Sequence, residues 1–128
     1  MEISHLPDPH LRADWPIIEA MLAPATETDT FNPEIDVCWL AYEDGKALGA
    51  ATTRLQIDGI AVLRLAGGHE FRRWIGLLDE AVTDWARACG ATALRMWGRK
   101  GWVRFARTFG WVCLGIDDDG KWIFSKEL

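Results

Sequence analysis

Between positions 71 and 89, Phe71, Trp74, Ile75, Leu78, Ala81, Val82, Trp85 and Cys89 recur at intervals of three and four residues. That spacing predicts a helix of about five turns over residues 70–89, with a single apolar stripe. So broad a stripe cannot be left in water, and the rest of the chain has to supply a surface for it. Gly90 closes the helix as a residue free to leave the helical conformation.

The surface is supplied by short β-rich runs. Residues 37–42, 47–57 and 60–66 alternate with turn signals at Glu43-Asp44-Gly45-Lys46 and Asp58-Gly59, which predicts three antiparallel strands in a meander, the third stopped by Gly67 and Gly68. After the long helix, residues 91–97 read as a strand broken by Gly98. Trp102, Phe105, Ala106 and Phe109 mark a short amphipathic helix closed by Gly110. Residues 111–116 and 121–125 flank Asp117-Asp118-Asp119-Gly120, an Asp-Gly turn that makes a closing hairpin rather than a cation site.

Upstream, Trp15, Ile18, Met21 and Leu22 predict a helix over 14–24, capped by Asp14, with Pro16 in its first turn and Pro24 at its end. Residues 1–13 are expected to be irregular and 25–33 to form a loop.

Composition narrows the class. With 128 residues, 49% apolar and 26% charged, the chain is expected to fold as one domain over 1–128 with a substantial core. No apolar run reaches the length of a membrane span, and Met1-Glu2-Ile3-Ser4-His5 lacks the basic start of a signal peptide, so a cytoplasmic protein without membrane contact is expected. Cys38, Cys89 and Cys113 are odd in number and far apart, each in an apolar setting. They are expected to be buried free thiols, with no metal site.

Charge is unevenly spread over a net of −5. Residues 1–44 hold ten acids against Arg12 alone, whereas no acid lies between Asp84 and Asp117, where Arg87, Arg95, Arg99, Lys100, Arg104 and Arg107 fall. Gathered on one surface, these six would make an anion site. Nucleic acid is not the expected partner, because Trp102 and Phe105 are spaced to face the core and the chain as a whole is acidic.

The order of meander, long helix, strand, short helix and hairpin resembles the GNAT superfamily of acyl-CoA-dependent N-acyltransferases over residues 36–125. Trp85-Ala86-Arg87-Ala88-Cys89-Gly90-Ala91-Thr92 is similar to the end of that family's long helix and the entry to its fifth strand. Phe105-Ala106-Arg107-Thr108-Phe109-Gly110-Trp111 is similar to its aromatic "F-Y-x-x-L-G-F" segment. A narrower likeness joins Gly98-Arg99-Lys100-Gly101-Trp102-Val103-Arg104 to the "G-R-x-G-W-x-R" stretch of small proteins encoded by tailed phages and prophages, which would act inside a bacterial host cell.

The resemblance implies an α+β fold with a mixed, mostly antiparallel sheet flanked by helices, acetyl-CoA as cofactor, and a small-molecule or protein amine as acceptor. In that fold the fourth and fifth strands splay apart and the pantetheine lies between them. The pyrophosphate rests on backbone N–H groups at the start of the long helix. Carried onto this chain, the implied cofactor-binding residues are Leu65, Gly67, Gly68, Arg72, Arg73 and Gly76. The family's "[RQ]-x-x-G-x-[GA]" turn falls either on residues 70–75, which hold no glycine, or on 73–78, which keep Arg73 and Gly76.

Acyl transfer to an amine also needs proton transfers. Ala106 stands where the family keeps its tyrosine acid, the sole tyrosine is Tyr42 in an early strand, and His69 and Glu70 are the nearby titratable candidates. Two functions follow from the resemblance. One is an acetyltransferase that works mainly by positioning. The other is a catalytically inactive domain of the same fold that serves a phage as a binding or assembly protein.

Overall fold

A twisted sheet of seven strands, in the order β1-β2-β3-β4-β5-β7-β6, runs through the described residues and carries a helical layer on each face. The structure is a computed structural model that describes residues 1–22 and 31–128, and within them every side chain but that of Leu65.

The meander appears as β2 (Asp36–Glu43), β3 (Lys46–Leu55) and β4 (Ile60–Gly68), each antiparallel to the next. Asp44 and Gly45 both adopt left-handed backbone, at φ 53° and 76°, which matches the twist of the strands they join. The long helix is α2 (Phe71–Ala88), followed by β5 (Ala93–Gly98), α3 (Trp102–Thr108), β6 (Val112–Ile116) and β7 (Trp122–Glu127). Among the described strands only β4 and β5 pair in parallel, because α2 crosses over between them.

Alternation along β2 divides the core. Trp39 and Ala41 face α2 and α3 and join Trp74, Ile75, Leu78, Val82, Leu94, Met96 and Phe124, whereas Cys38 and Leu40 face α1 (Trp15–Leu22) and join Leu6, Ile18 and Leu22. Asp79 pins the long helix to the C-terminal strands. Its carboxylate accepts the Trp111 indole N–H at 2.6 Å and the Lys126 ammonium at 2.7 Å.

Four expectations are corrected. The N-terminal stretch is not irregular throughout: Glu2–Leu6 forms β1, antiparallel to β2 with Ser4 opposite Leu40. An edge strand with only Leu6 buried leaves no alternation in the sequence to reveal it. Asp14 does not cap α1 with its carboxylate, which takes the forked Nε and Nη2 donors of Arg12 at 2.8 and 3.0 Å instead. Gly67 and Gly68 do not stop the third strand of the meander but form its last two residues. Of the cysteines, Cys38 is buried but Cys89 and Cys113 are exposed, one at the end of α2 and one on the edge strand β6. Pro24 and the expected loop from residue 25 through residue 30 lie outside the described residues.

Candidate functional site

The two parallel strands separate. Ile60, Ala61, Val62 and Leu63 pair with Ala93, Leu94, Arg95 and Met96, and there the β4–β5 ladder ends although both strands continue. The cause lies on the other edge of β4, where Leu63 pairs with Thr53 and Leu65 with Thr52, so that Arg64 is an extra residue in a β-bulge. A bulge bends and twists its strand, and here it turns the last part of β4 away from β5.

The amide of His69 donates to Leu48 O at 2.6 Å, toward β3. Successive strand amides alternate, so those of Gly68 and Ala66 face the opposite edge, into the gap. The opening is a cavity of about 320 Å³ walled by Leu63, Arg64, Ala66, Gly67 and Gly68 on one side and Met96, Trp97, Gly98, Arg99 and Trp102 on the other.

A second cavity, of about 470 Å³, shares Leu63, Arg64, Trp97, Gly98 and Arg99 with the first and extends past Arg54, Gln56, Val62, Asp117, Gly120 and Lys121. The gap therefore opens on both sides of the same five residues. Beneath the second cavity, the fully buried Asp36 carboxylate accepts Arg54 Nε at 2.8 Å, Arg64 Nη1 at 2.7 Å and the Asn32 amide at 2.8 Å. Burial of that charge is sustained by this ring of donors.

The α2 N-terminus stands beside the first cavity. Glu70, in left-handed backbone, precedes it without a side-chain cap. Trp74 is completely buried and donates its indole N–H to His69 O at 2.7 Å, which fixes the turn against the helix.

The sequence-derived site residues are distributed as follows. Leu65 lies in β4 opposite Thr52, and Gly67 and Gly68 border the gap. A side chain at Gly67 would run into the Met21 carbonyl of α1, so this glycine also admits a close helix backbone. Arg72 is exposed in the first turn of α2. Arg73 is committed elsewhere: its guanidinium pairs with Glu43 at the end of β2 and with Glu70, and the Glu43 hydrogen bond, joined by the attraction of both carboxylates, raises its pKa above the usual arginine value. Gly76 lies in the second turn and faces the Phe109 ring, where a Cβ would come within 3.2 Å, so it serves packing between α2 and α3.

His69 borders a separate recess with Pro16, Ile17, Ala20, Met21 and Gly68. Neither His69 nor Glu70 lines the gap. Ala106 is fully buried on the core side of α3, and Tyr42 bonds to Ser4 at 3.2 Å on the far strands. Among the described residues, no group of three or more His, Cys, Asp or Glu could hold a metal ion, and no helix is long and apolar enough to cross a membrane.

The basic block does not form one surface. Arg99 lines the gap, and Lys100, Arg104 and Arg107 border a different recess beside Trp122. Arg87 lies near Asp84 at 4.0 Å, and the buried Nε of Arg95 has no partner among the described residues. Periodicity in the sequence did not mark Arg64 as a gap residue, since its meeting with Trp97 depends on how two distant strands diverge.

No protein-family model matches the chain, and no curated protein matches it in sequence. In three dimensions it is similar to an acetyltransferase from Bacillus subtilis in complex with CoA (TM-score 0.77, 12% identity, 99% of this chain and 98% of that one). It is similar also to the IAA acetyltransferase from Bacillus cereus (0.75, 14%, 99% and 99%). A third likeness is to a GNAT family acetyltransferase from Elizabethkingia anophelis with acetyl-CoA bound (0.75, 14%, 99% and 97%). At these identities the likeness is one of architecture, and it establishes that the chain has the α+β fold of the GNAT acetyltransferases.

Proposed function

We propose that this chain binds acetyl-CoA in the gap between β4 and β5 and transfers its acetyl group to an amine. The observation that carries the reading is the open edge of β4 beyond Leu63, with the Ala66 and Gly68 amides facing a cavity beside the start of α2. Unpaired strand amides suit the amide groups of a pantetheine arm. The first N–H groups of a helix, with the exposed Arg72 among them, suit a pyrophosphate. Structures of two similar folds, solved with CoA and with acetyl-CoA, support the same ligand.

When bound, acetyl-CoA supplies a thioester whose acetyl carbon ends on the amine nitrogen and whose sulfur leaves as a thiol. The chain's own residues position the reactants. A gap-facing amide can hold the carbonyl oxygen where negative charge develops, and Trp97, Trp102 and Met96 limit water on the β5 side. No Tyr, His or Cys among the described residues lines either cavity, and the one carboxylate there, Asp117, has its Oδ1 held by two backbone amides, so the ammonium proton passes to solvent and the thiolate takes its proton from solvent. That same lack of an acid favours, as a second reading, a non-catalytic domain, for which a phage binding or assembly role rests on the sequence likeness of residues 98–104 alone. A small-molecule or protein amine is the acceptor in the first reading, and a protein is the partner in the second.

Calorimetric titration with acetyl-CoA tests the proposal. One-to-one binding is expected, weakened by about 1 to 3 kcal/mol in Arg72→Ala through loss of charge-assisted hydrogen bonds, and less salt-sensitive in that variant. Absence of binding to the wild type would overturn it in favour of the non-catalytic reading.

A further inference from the structure

We propose that the acceptor amine carries a carboxylate or a phosphate, held in the second cavity by Arg99 and Lys121 beside the Arg54 guanidinium. This rests on the acetyltransferase reading for the word acceptor, but its own ground is the charge of that cavity. Arg54, Arg64, Arg99 and Lys121 line it against a single carboxylate, Asp117.

These cations differ in how far they are already committed. Arg64 and Arg54 share the buried Asp36, which Arg54 contacts through Nε while its side chain remains 27% exposed. Arg99 and Lys121 are exposed and have no ion-pair partner among the described residues. Asp117 lowers the positive potential without cancelling it, and its Oδ1 is occupied by the amides of Asp119 and Lys121 at 3.0 and 2.8 Å.

A cationic wall has two consequences for an incoming amine. It favours the neutral amine over the ammonium, which supplies the nucleophile in a gap that no Tyr, His or Cys among the described residues lines. It also repels any ammonium that brings no counter-charge. An acceptor with an anionic group satisfies both conditions, because that group is attracted to the exposed cations while the amine end reaches the shared residues Leu63, Trp97 and Gly98. A polyamine or a lysine-rich peptide would meet repulsion throughout.

The test is an NMR titration of the isotope-labelled chain, without acetyl-CoA, using phosphoethanolamine, glycine and ethanolamine as phosphate-bearing, carboxylate-bearing and anion-free amines. Phosphoethanolamine or glycine is expected to shift the signals of Trp97, Arg99 and Lys121, at least about tenfold more tightly than ethanolamine, and the two together tell phosphate from carboxylate. The double variant Arg99→Gln/Lys121→Gln, which leaves Asp36 with its partners, is expected to lose this preference.

Equal response to ethanolamine, or no response at the three residues, overturns the proposal. Phosphoethanolamine shifts confined to residues 66–72 would likewise overturn it, since the cations would then serve the phosphates of CoA. A parallel titration with acetyl-CoA reads residues 66–72 alone, so its failure would sink the acetyltransferase reading while the anion result stood separately.

Discussion

Gly49 of β3 lies directly against the indole of Trp74 in α2: a Cβ at position 49 would come closer than 3 Å to three atoms of that ring. The contact sets the height of the α2 N-terminus above the sheet, and therefore where its first amides meet the gap. Gly49→Ala is expected to cost about 1 to 3 kcal/mol, since neither a buried ring nor a strand backbone can move cheaply. Urea unfolding gives the stability, and calorimetry on the same sample should show weaker acetyl-CoA binding. A variant as stable as wild type would show that Trp74 has room to shift.

Asp36 holds two strands' arginines together beneath the second cavity. Asp36→Ala removes the buried carboxylate and leaves Arg54 Nε and the Asn32 amide without this acceptor. A loss of about 3 kcal/mol is expected, the usual size when one partner of a buried pair is deleted. Chemical denaturation measures it, and a change below about 1 kcal/mol would mean that water reaches the vacated site.

Ala106 occupies the position of a tyrosine acid in the resembled family, yet its side chain is fully buried among Phe105, Trp111 and the α2 core. Ala106→Tyr is therefore expected to destabilise the fold by about 1 to 3 kcal/mol through overpacking and to leave any turnover unimproved. Thermal melting and acetyl-transfer rates, measured side by side, decide this. A faster, equally stable variant would place the new hydroxyl in the gap instead.

Thiol chemistry should divide the three cysteines. Cys89 and Cys113 are exposed and should react quickly with iodoacetamide, while Cys38 should react only on unfolding. Burial pushes the Cys38 thiol up from 9.0 to about 12. A group with its folded value raised contributes stability that is whole below its unfolded value and lost as pH rises. Stability should accordingly fall between about pH 9 and pH 12, and Cys38→Ala should flatten that part of the profile. Mass spectrometry counts the modified thiols, and three rapid modifications would contradict the burial.

The strongest local signals were the most legible. The stripe from Phe71 to Trp85 defines α2 and its buried face, and Asp44-Gly45 defines the first hairpin, because both depend on interactions among residues near in sequence. The β4 and β5 segments were readable as strands for the same reason. Their divergence was expected from the resemblance alone, and its physical cause was not legible: the bulge at Arg64 exists only when β3 and β4 are paired.

The sequence by itself determined the element order from α1 onward, the division of apolar residues between faces, and an excess of arginine and lysine between Asp84 and Asp117. Tertiary structure decided which charges of the whole chain meet. Arg73 in the first turn of α2 was drawn to Glu43, thirty residues away, whereas Arg54 and Lys121, far apart in the chain, came to line one cavity. Helix and strand periodicity follow from local backbone geometry. The partners of a charge or a strand edge are chosen by long-range packing, where burial makes each unpaired group costly.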